Sequence, residues 1–155
     1  MPVSFWLIAA GVFALDRLSK CWVLAALAPS GAVIQAWPGV FRLVYAENIG
    51  VAFSLFAGMP WVSYLLTPII LMAGWLLVRP YRLGLWPRLC LGAILGGATG
   101  NYLDRLIYGF VIDMIDVAFM KFAVFNLADA AICLGGALLA VSLIARSQDW
   151  RPKDA

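Results

Sequence analysis

Four apolar stretches, Val3 to Leu27, Trp61 to Val78, Leu89 to Ile107 and Phe125 to Ala145, each run close to twenty residues and restrict the folds open to this chain. A helix needs ~20 apolar residues to cross the ~30 Å hydrocarbon layer of a bilayer. Four such crossings nearly exhaust 155 residues, leaving one polytopic domain, 1–155, and little room for a separate soluble module. Composition points the same way: 65% of the residues are hydrophobic and 12% charged, where soluble domains average ~45–50% apolar. The expected fold class is an all-α membrane protein with four transmembrane helices.

The placement of charge orients those helices. Arg79, Arg82 and Arg88 crowd the short segment between the second and third stretches, and Arg146, Arg151 and Lys153 follow the fourth. The positive-inside rule makes both regions cytoplasmic. An even number of spans then puts the amino terminus on the same side, and the loops 28–60 and 108–124 on the outside. The first stretch is not expected to be a cleaved signal peptide, because its start is neutral and Asp16, Arg17 and Lys20 interrupt it. In the first outer loop, VFRLVYAEN is rich in β-branched and aromatic residues and follows Pro38 and Gly39, so a small extracytoplasmic β element is expected there. No basic block suits nucleic acid. Cys21, Cys90 and Cys133 stand singly in apolar surroundings and read as packing residues.

The chain has no histidine, which excludes Ser/His/Asp and Cys/His nucleophiles and histidine-bound zinc. Catalysis, if present, falls to carboxylates. Five of them, Asp16, Asp104, Asp113, Asp116 and Asp129, sit near the outer ends of the expected spans, where an ionised group costs at least ~2.5–3.5 kcal/mol and requires a partner or a role. Asp16 and Lys20 are four apart and share a helical face, as a structural clamp or as a substrate contact. Gly92, Gly96 and Gly100 make a flat packing surface leading into Asn101, Asp104 and Arg105, where an Asp–Arg pair would brace the site. Asp113 and Asp116 in VIDMID and Asp129 in FNLAD could converge at one depth. Two carboxyls in a water-poor site tend to share one proton, supplying an acid and a base together. The same spacing suits a structural or ion-conducting role, in which Asp104, Asp113 and Asp129 would form the relay of a small proton-coupled transporter or channel. That alternative predicts ionisable groups along a whole path, whereas these bunch at one boundary.

In series, DRLSK, NIGVAF, GGATGNYLDR, VIDMID and FNLAD resemble the motif set of the lipoprotein signal peptidases, also called signal peptidase II, over almost the entire chain. The resemblance implies an aspartic endopeptidase of the bacterial inner membrane. Its substrate would be a prolipoprotein, cut on the amino side of a diacylglyceryl-modified cysteine. It implies Asp113 and Asp129 as the catalytic pair, with Asp116 a neighbour. Supporting or substrate-contacting roles fall on Asp16, Lys20, Asn48, Gly50, Asn101, Asp104, Arg105 and Asn126. No metal or cofactor is implied, membrane lipid is the other partner, and a monomer is expected to suffice. The site would lie at the extracytoplasmic boundary, with both termini cytoplasmic.

Overall fold

A computed structural model of the chain describes residues 1–50 and 60–153; Val51 to Phe53 of the NIGVAF motif fall outside the described residues. Four long helices form: α1 (Val3–Ala26), α2 (Pro60–Val78), α3 (Leu85–Tyr108) and α4 (Leu127–Ala145). Between them run strands β1 (Ile34–Trp37), β2 (Phe41–Asn48), β3 (Tyr81–Leu83), β4 (Val111–Val117) and β5 (Trp150–Pro152). Both expected helix-rich character and an expected strand at VFRLVYAEN are therefore present, but the β structure exceeds the single element anticipated. β1, β2 and β4 make a three-stranded antiparallel sheet, while β3 and β5 form a second, two-stranded one. Pro38 and Gly39 close the β1–β2 hairpin. Val40 N–H donates to the Trp37 carbonyl at 3.0 Å, and Gly39 takes the positive φ of 77° required at that turn position.

Polarity runs inside-out. Asp16, Lys20, Asn101, Asp104, Asp113 and Asn126 are buried, whereas Leu7, Leu18, Ile69, Leu77, Leu134 and Ile144 lie on the surface. Helices dressed this way need an apolar surrounding. By length and apolarity alone, α4 is the one described helix suited to crossing a bilayer. The expectation of four spans is not met by that criterion: α1 carries Asp16, Arg17 and Lys20, and α3 carries Arg88, Asp104 and Arg105, which dilute their apolarity, while the apolar stretch described in α2, Tyr64–Val78, is short of a full span.

The third helix is the centre of the bundle, and its glycines let it be. A Cβ on Gly92 would stand 2.6 Å from the Phe5 carbonyl, one on Gly96 would collide with the Ala9 carbonyl, and one on Gly100 with the Asp16 carboxylate, so this stripe seats α1. A Cβ on Gly97 would stand 2.6 Å from the Ala128 carbonyl, so the adjacent face seats α4. Such close backbone approach replaces the hydrophobic drive that helices lack in lipid. Of the three cysteines read as packing residues, Cys90 is buried, but Cys21 and Cys133 lie exposed on helix surfaces. Above the bundle, Val23 of α1 and Leu27, its C-cap, pack with Ile112 and Met114 of β4 into a small apolar core, fixing the three-stranded sheet over the ends of α1 and α3.

Candidate active site

Strand and helix starts, rather than loops, aim the polar groups. Successive residues of β4 point to opposite faces. Ile112 and Met114 enter the apolar core, so Asp113 projects from the other face. Asp116, an odd number of residues away, falls on the face opposite Asp113 and ion-pairs with Arg42, its cross-strand partner in β2, at 2.5 Å. Asp116 is thus separated from Asp113 by the strand itself. Arg42 was not singled out in the sequence, because its partner lies 74 residues away.

The start of α4 sets Asp129. Asn126 is the N-cap: its Oδ1 accepts from the Asp129 backbone N–H at 2.9 Å, and its own N–H donates to Asp129 Oδ2 at 3.3 Å, a reciprocal capping box. The carboxylate therefore sits in the first turn of α4, at the positive end of the helix dipole. The Asn126 side chain reaches further. Its Nδ2 donates to Asp113 Oδ1 at 2.7 Å, with longer contacts to Asn101 Oδ1 at 3.1 Å and the Ile112 carbonyl at 3.3 Å. One asparagine thus holds both carboxyls, which are 16 residues apart in the chain.

Other amides complete the frame. Asn48 Nδ2, at the end of β2, donates to Asp113 Oδ2 at 3.0 Å, and Asn48 Oδ1 accepts from Gly50 N–H at 3.0 Å. Asn101 Nδ2 donates to Asp129 Oδ1 at 2.7 Å. Asp113 is only 2% exposed. Burial, the main cause, lifts its carboxyl to about 6, with the nearby Asp129 charge adding to the rise; hydrogen bonds from Asn48 and Asn126 and the charge of Lys20 pull against it. An open cleft of about 200 Å³ beside Asp113 is lined by Ala46, Glu47, Asn48, Ile49, Ala123 and Val124. Glu47 and the Ala123–Val124 edge are contributors that sequence reasoning missed.

Behind the pair lies a buried ionic cluster. Lys20 Nζ stands 2.8 Å from Asp16 Oδ2 and 2.7 Å from Asp104 Oδ2, and donates to Asn101 Oδ1 at 2.8 Å. Lys20, Asp16 and Asp104 are all fully buried. Asp16 Oδ2 thus faces the Lys20 ammonium, while Asp16 Oδ1 accepts from Ala128 N–H at 3.1 Å and ties α1 to α4. Arg17 also binds Asp104. Asp16 and Lys20 form the ion pair that their spacing allows. The expected Asp104–Arg105 brace is not: Asp104 turns to α1, whereas Arg105 donates to the Asn101 and Gly50 carbonyls at 3.3 Å each. Neighbouring residues on a helix point ~100° apart, so the two side chains serve different walls. All ten residues singled out beforehand nonetheless meet in one network, with Lys20–Asn101–Asp129 and Asn48–Asp113–Asn126 as its two arms.

Comparison with known proteins finds relatives along most of the chain. The family model for signal peptidase (SPase) II matches residues 8–145. Among curated relatives, the lipoprotein signal peptidase of Gloeobacter violaceus is 46% identical over 155 residues, spanning 97% of this chain and 87% of that protein. That of Lactococcus lactis is 36% identical, spanning 92% of this chain and 93% of its own. Two solved bacterial membrane enzymes superpose with TM-scores of 0.81 and 0.78 at 25% and 26% identity. They cover 91% and 90% of this chain, and 87% and 92% of their own.

Proposed function

Since this chain belongs to the signal peptidase II family, we propose that Asp113 and Asp129 are the catalytic pair of its prolipoprotein-processing, aspartic peptidase activity. The observation that carries the assignment is Asn126, whose side chain grips Asp113 while its backbone grips Asp129. Carboxyls locked in this way are preorganised for acid–base work at little reorganisation cost.

Asp113, buried and raised, is suited to hold the shared proton; Asp129, in the first turn of α4 and fed by Asn101, is placed to act as the base. A water placed between them attacks the scissile carbonyl carbon as Asp129 takes its proton, and Asp113 donates to the oxygen that becomes negative. Collapse of the tetrahedral intermediate breaks the C–N bond. The departing amine takes the proton from Asp129, and Asp113 recovers its own from the new carboxyl. Asp16, Lys20, Asn101, Asp104, Arg105 and Asn126 position the pair, while Asn48 and Gly50 line the approach.

All four helices act as bilayer spans in this reading, in one domain covering residues 1–155. The charged residues of α1 and α3 are tolerated because they pair inside the bundle. The Arg-rich end faces the cytoplasm with both termini, and the carboxylates lie at the outer rim. There a substrate anchored by its signal helix and by a diacylglyceryl group on the cysteine presents its scissile bond at the right depth. A monomer contains the whole network.

Purified protein in detergent should cut a diacylglyceryl-modified prolipoprotein peptide on the amino side of the lipidated cysteine, read by mass spectrometry of the new terminus. Cleavage elsewhere, or equal cleavage of the unlipidated peptide, would overturn the substrate assignment. A relay of carboxylates in a transporter would leave the peptide intact.

The pH profile carries a second expectation. Because Asp113 loses its proton above about 6, kcat/KM should rise as the buffer is taken from pH 8 to pH 6. Asn48→Ala removes a hydrogen bond that favours the charged form, so the falling limb should move to higher pH. A limb that stays put, or moves down, removes Asp113 as the proton donor.

A further inference from the structure

Arg82 of β3 stands directly opposite Arg151 of β5 in the antiparallel ladder. Residues so paired share a face, roughly 5 Å apart at Cβ, and like charges there repel. Neither guanidinium meets a carboxylate among the described residues; Arg151 Nε donates to the Gln148 carbonyl at 3.2 Å. The opposite face of this ribbon is occupied: Leu83 is buried, its partner Trp150 half-buried, and Tyr81 lies edge-on to Trp150 at 6.0 Å. The two arginines therefore project away from the helices. Arg79, Arg88 and Lys153 flank them, and the buried Nε of Arg88 has no partner among the described residues. Arg146 is otherwise engaged, paired with Asp149 at 2.9 Å and lying 5.7 Å from the Trp86 ring. Along the sequence, the segments 79–88 and 146–155 thus hold six basic residues against two acidic ones.

We propose that the Arg82–Arg151 face binds the phosphate of an anionic phospholipid in the leaflet opposite the catalytic carboxyls. The ribbon adjoins the start of α3 and the end of α4, whereas Asp129 lies in the first turn of α4 and Asn101 in the far half of α3. Their 24 and 19 residues, at 1.5 Å each, give roughly 36 and 29 Å, close to the ~30 Å hydrocarbon thickness. A phosphodiester presents oxygens that match two guanidinium forks and would cancel the cross-strand repulsion. Tyr81, Trp86 and Trp150 lie at the same level, as aromatic residues do at a headgroup boundary. The proposal rests on reading α3 and α4 as spans, and is independent of the peptidase chemistry.

Full-length protein in detergent can be titrated with phosphatidylglycerol, phosphatidylcholine or inorganic phosphate, with bound lipid counted by native mass spectrometry. Each arginine near an anionic surface is worth roughly fivefold in affinity. Phosphatidylglycerol should bind about twentyfold more tightly than phosphatidylcholine, and the Arg82→Gln/Arg151→Gln protein should lose that preference. Single Arg82→Gln should lose about fivefold, which keeps the test open if the double variant fails to fold, and the double Lys variant should retain most binding. Prolipoprotein cleavage in detergent by the Gln variants should be unchanged, and Asp113→Asn protein should bind the lipid as the parent does, so loss of the peptidase reading would leave this result standing. Tryptic cleavage after Arg82 in right-side-out and inverted vesicles reads the sidedness separately. Equal affinity for the two lipids, unchanged binding by the Gln variants, or saturation by inorganic phosphate at the lipid's concentration would each overturn the proposal.

Discussion

Replacing either Asp113 or Asp129 by Asn should lower the cleavage rate of a lipidated prolipoprotein peptide by roughly 10³-fold or more, since a positioned acid or base contributes ~10²–10⁴. Both variants should stay folded. An amide at Asp113 removes a carboxyl that burial already disfavours in its charged form, and an amide at Asp129 can still accept through Oδ1 from Asn101. Matching thermal transitions in detergent would establish that the loss is chemical. Asp116→Asn is the contrasting case: its partner Arg42 is 43% exposed, so the pair contributes about 0–1 kcal/mol, and cleavage should remain near the parent's. More than a tenth of parental activity in either Asp113→Asn or Asp129→Asn would remove the pair.

Lys20→Met should produce the largest loss of stability, about 3–5 kcal/mol, because removing one member of a buried ionic cluster leaves uncompensated charge behind. Asp16 would keep only the Ala128 N–H, and Asp104 would depend on Arg17 and the Ile112 N–H. Asn101 would lose the ammonium on its Oδ1 and with it the restraint that aims its Nδ2 at Asp129. Turnover should therefore fall as well. Adding Asp16→Asn to Lys20→Met removes one of the stranded charges and should recover part of the loss; a double-variant cycle measured by thermal unfolding tests the coupling. Additive losses in that cycle would mean that the cluster does not act as a unit.

Much of the site was legible because lipid makes polarity conspicuous. Asp16, Lys20, Asn101 and Asp104 stand out in apolar stretches for the same reason that they must pair: isolated, each would be costly. The glycine stripe ending at Gly100 was equally readable, since close helix approach requires the absence of side chains. What was missed depends on partners distant in the chain. β3 and β5 have three residues each and lie about seventy residues apart, so no local pattern announces them. β4 does not alternate polar and apolar residues, because one face meets the apolar core and the other the buried carboxyls. The start of α3 was expected at Leu89, after Pro87, yet the helix begins at Leu85. Proline is tolerated in a first turn, where the backbone N–H groups have no intrahelical acceptor.

Composition and periodicity by themselves determined an apolar, helix-rich chain with its acids crowded at one boundary, because burial of polar groups in lipid is punished wherever it is not compensated. Tertiary structure alone decided the pairings. The strand period sends Asp113 and Asp116 to opposite faces, helix geometry turns Asp104 and Arg105 to different walls, and the cap of α4 lets Asn126 reach both carboxyls. Those outcomes follow from direction, which the identity of a residue does not carry until its backbone has a conformation and its neighbours a position.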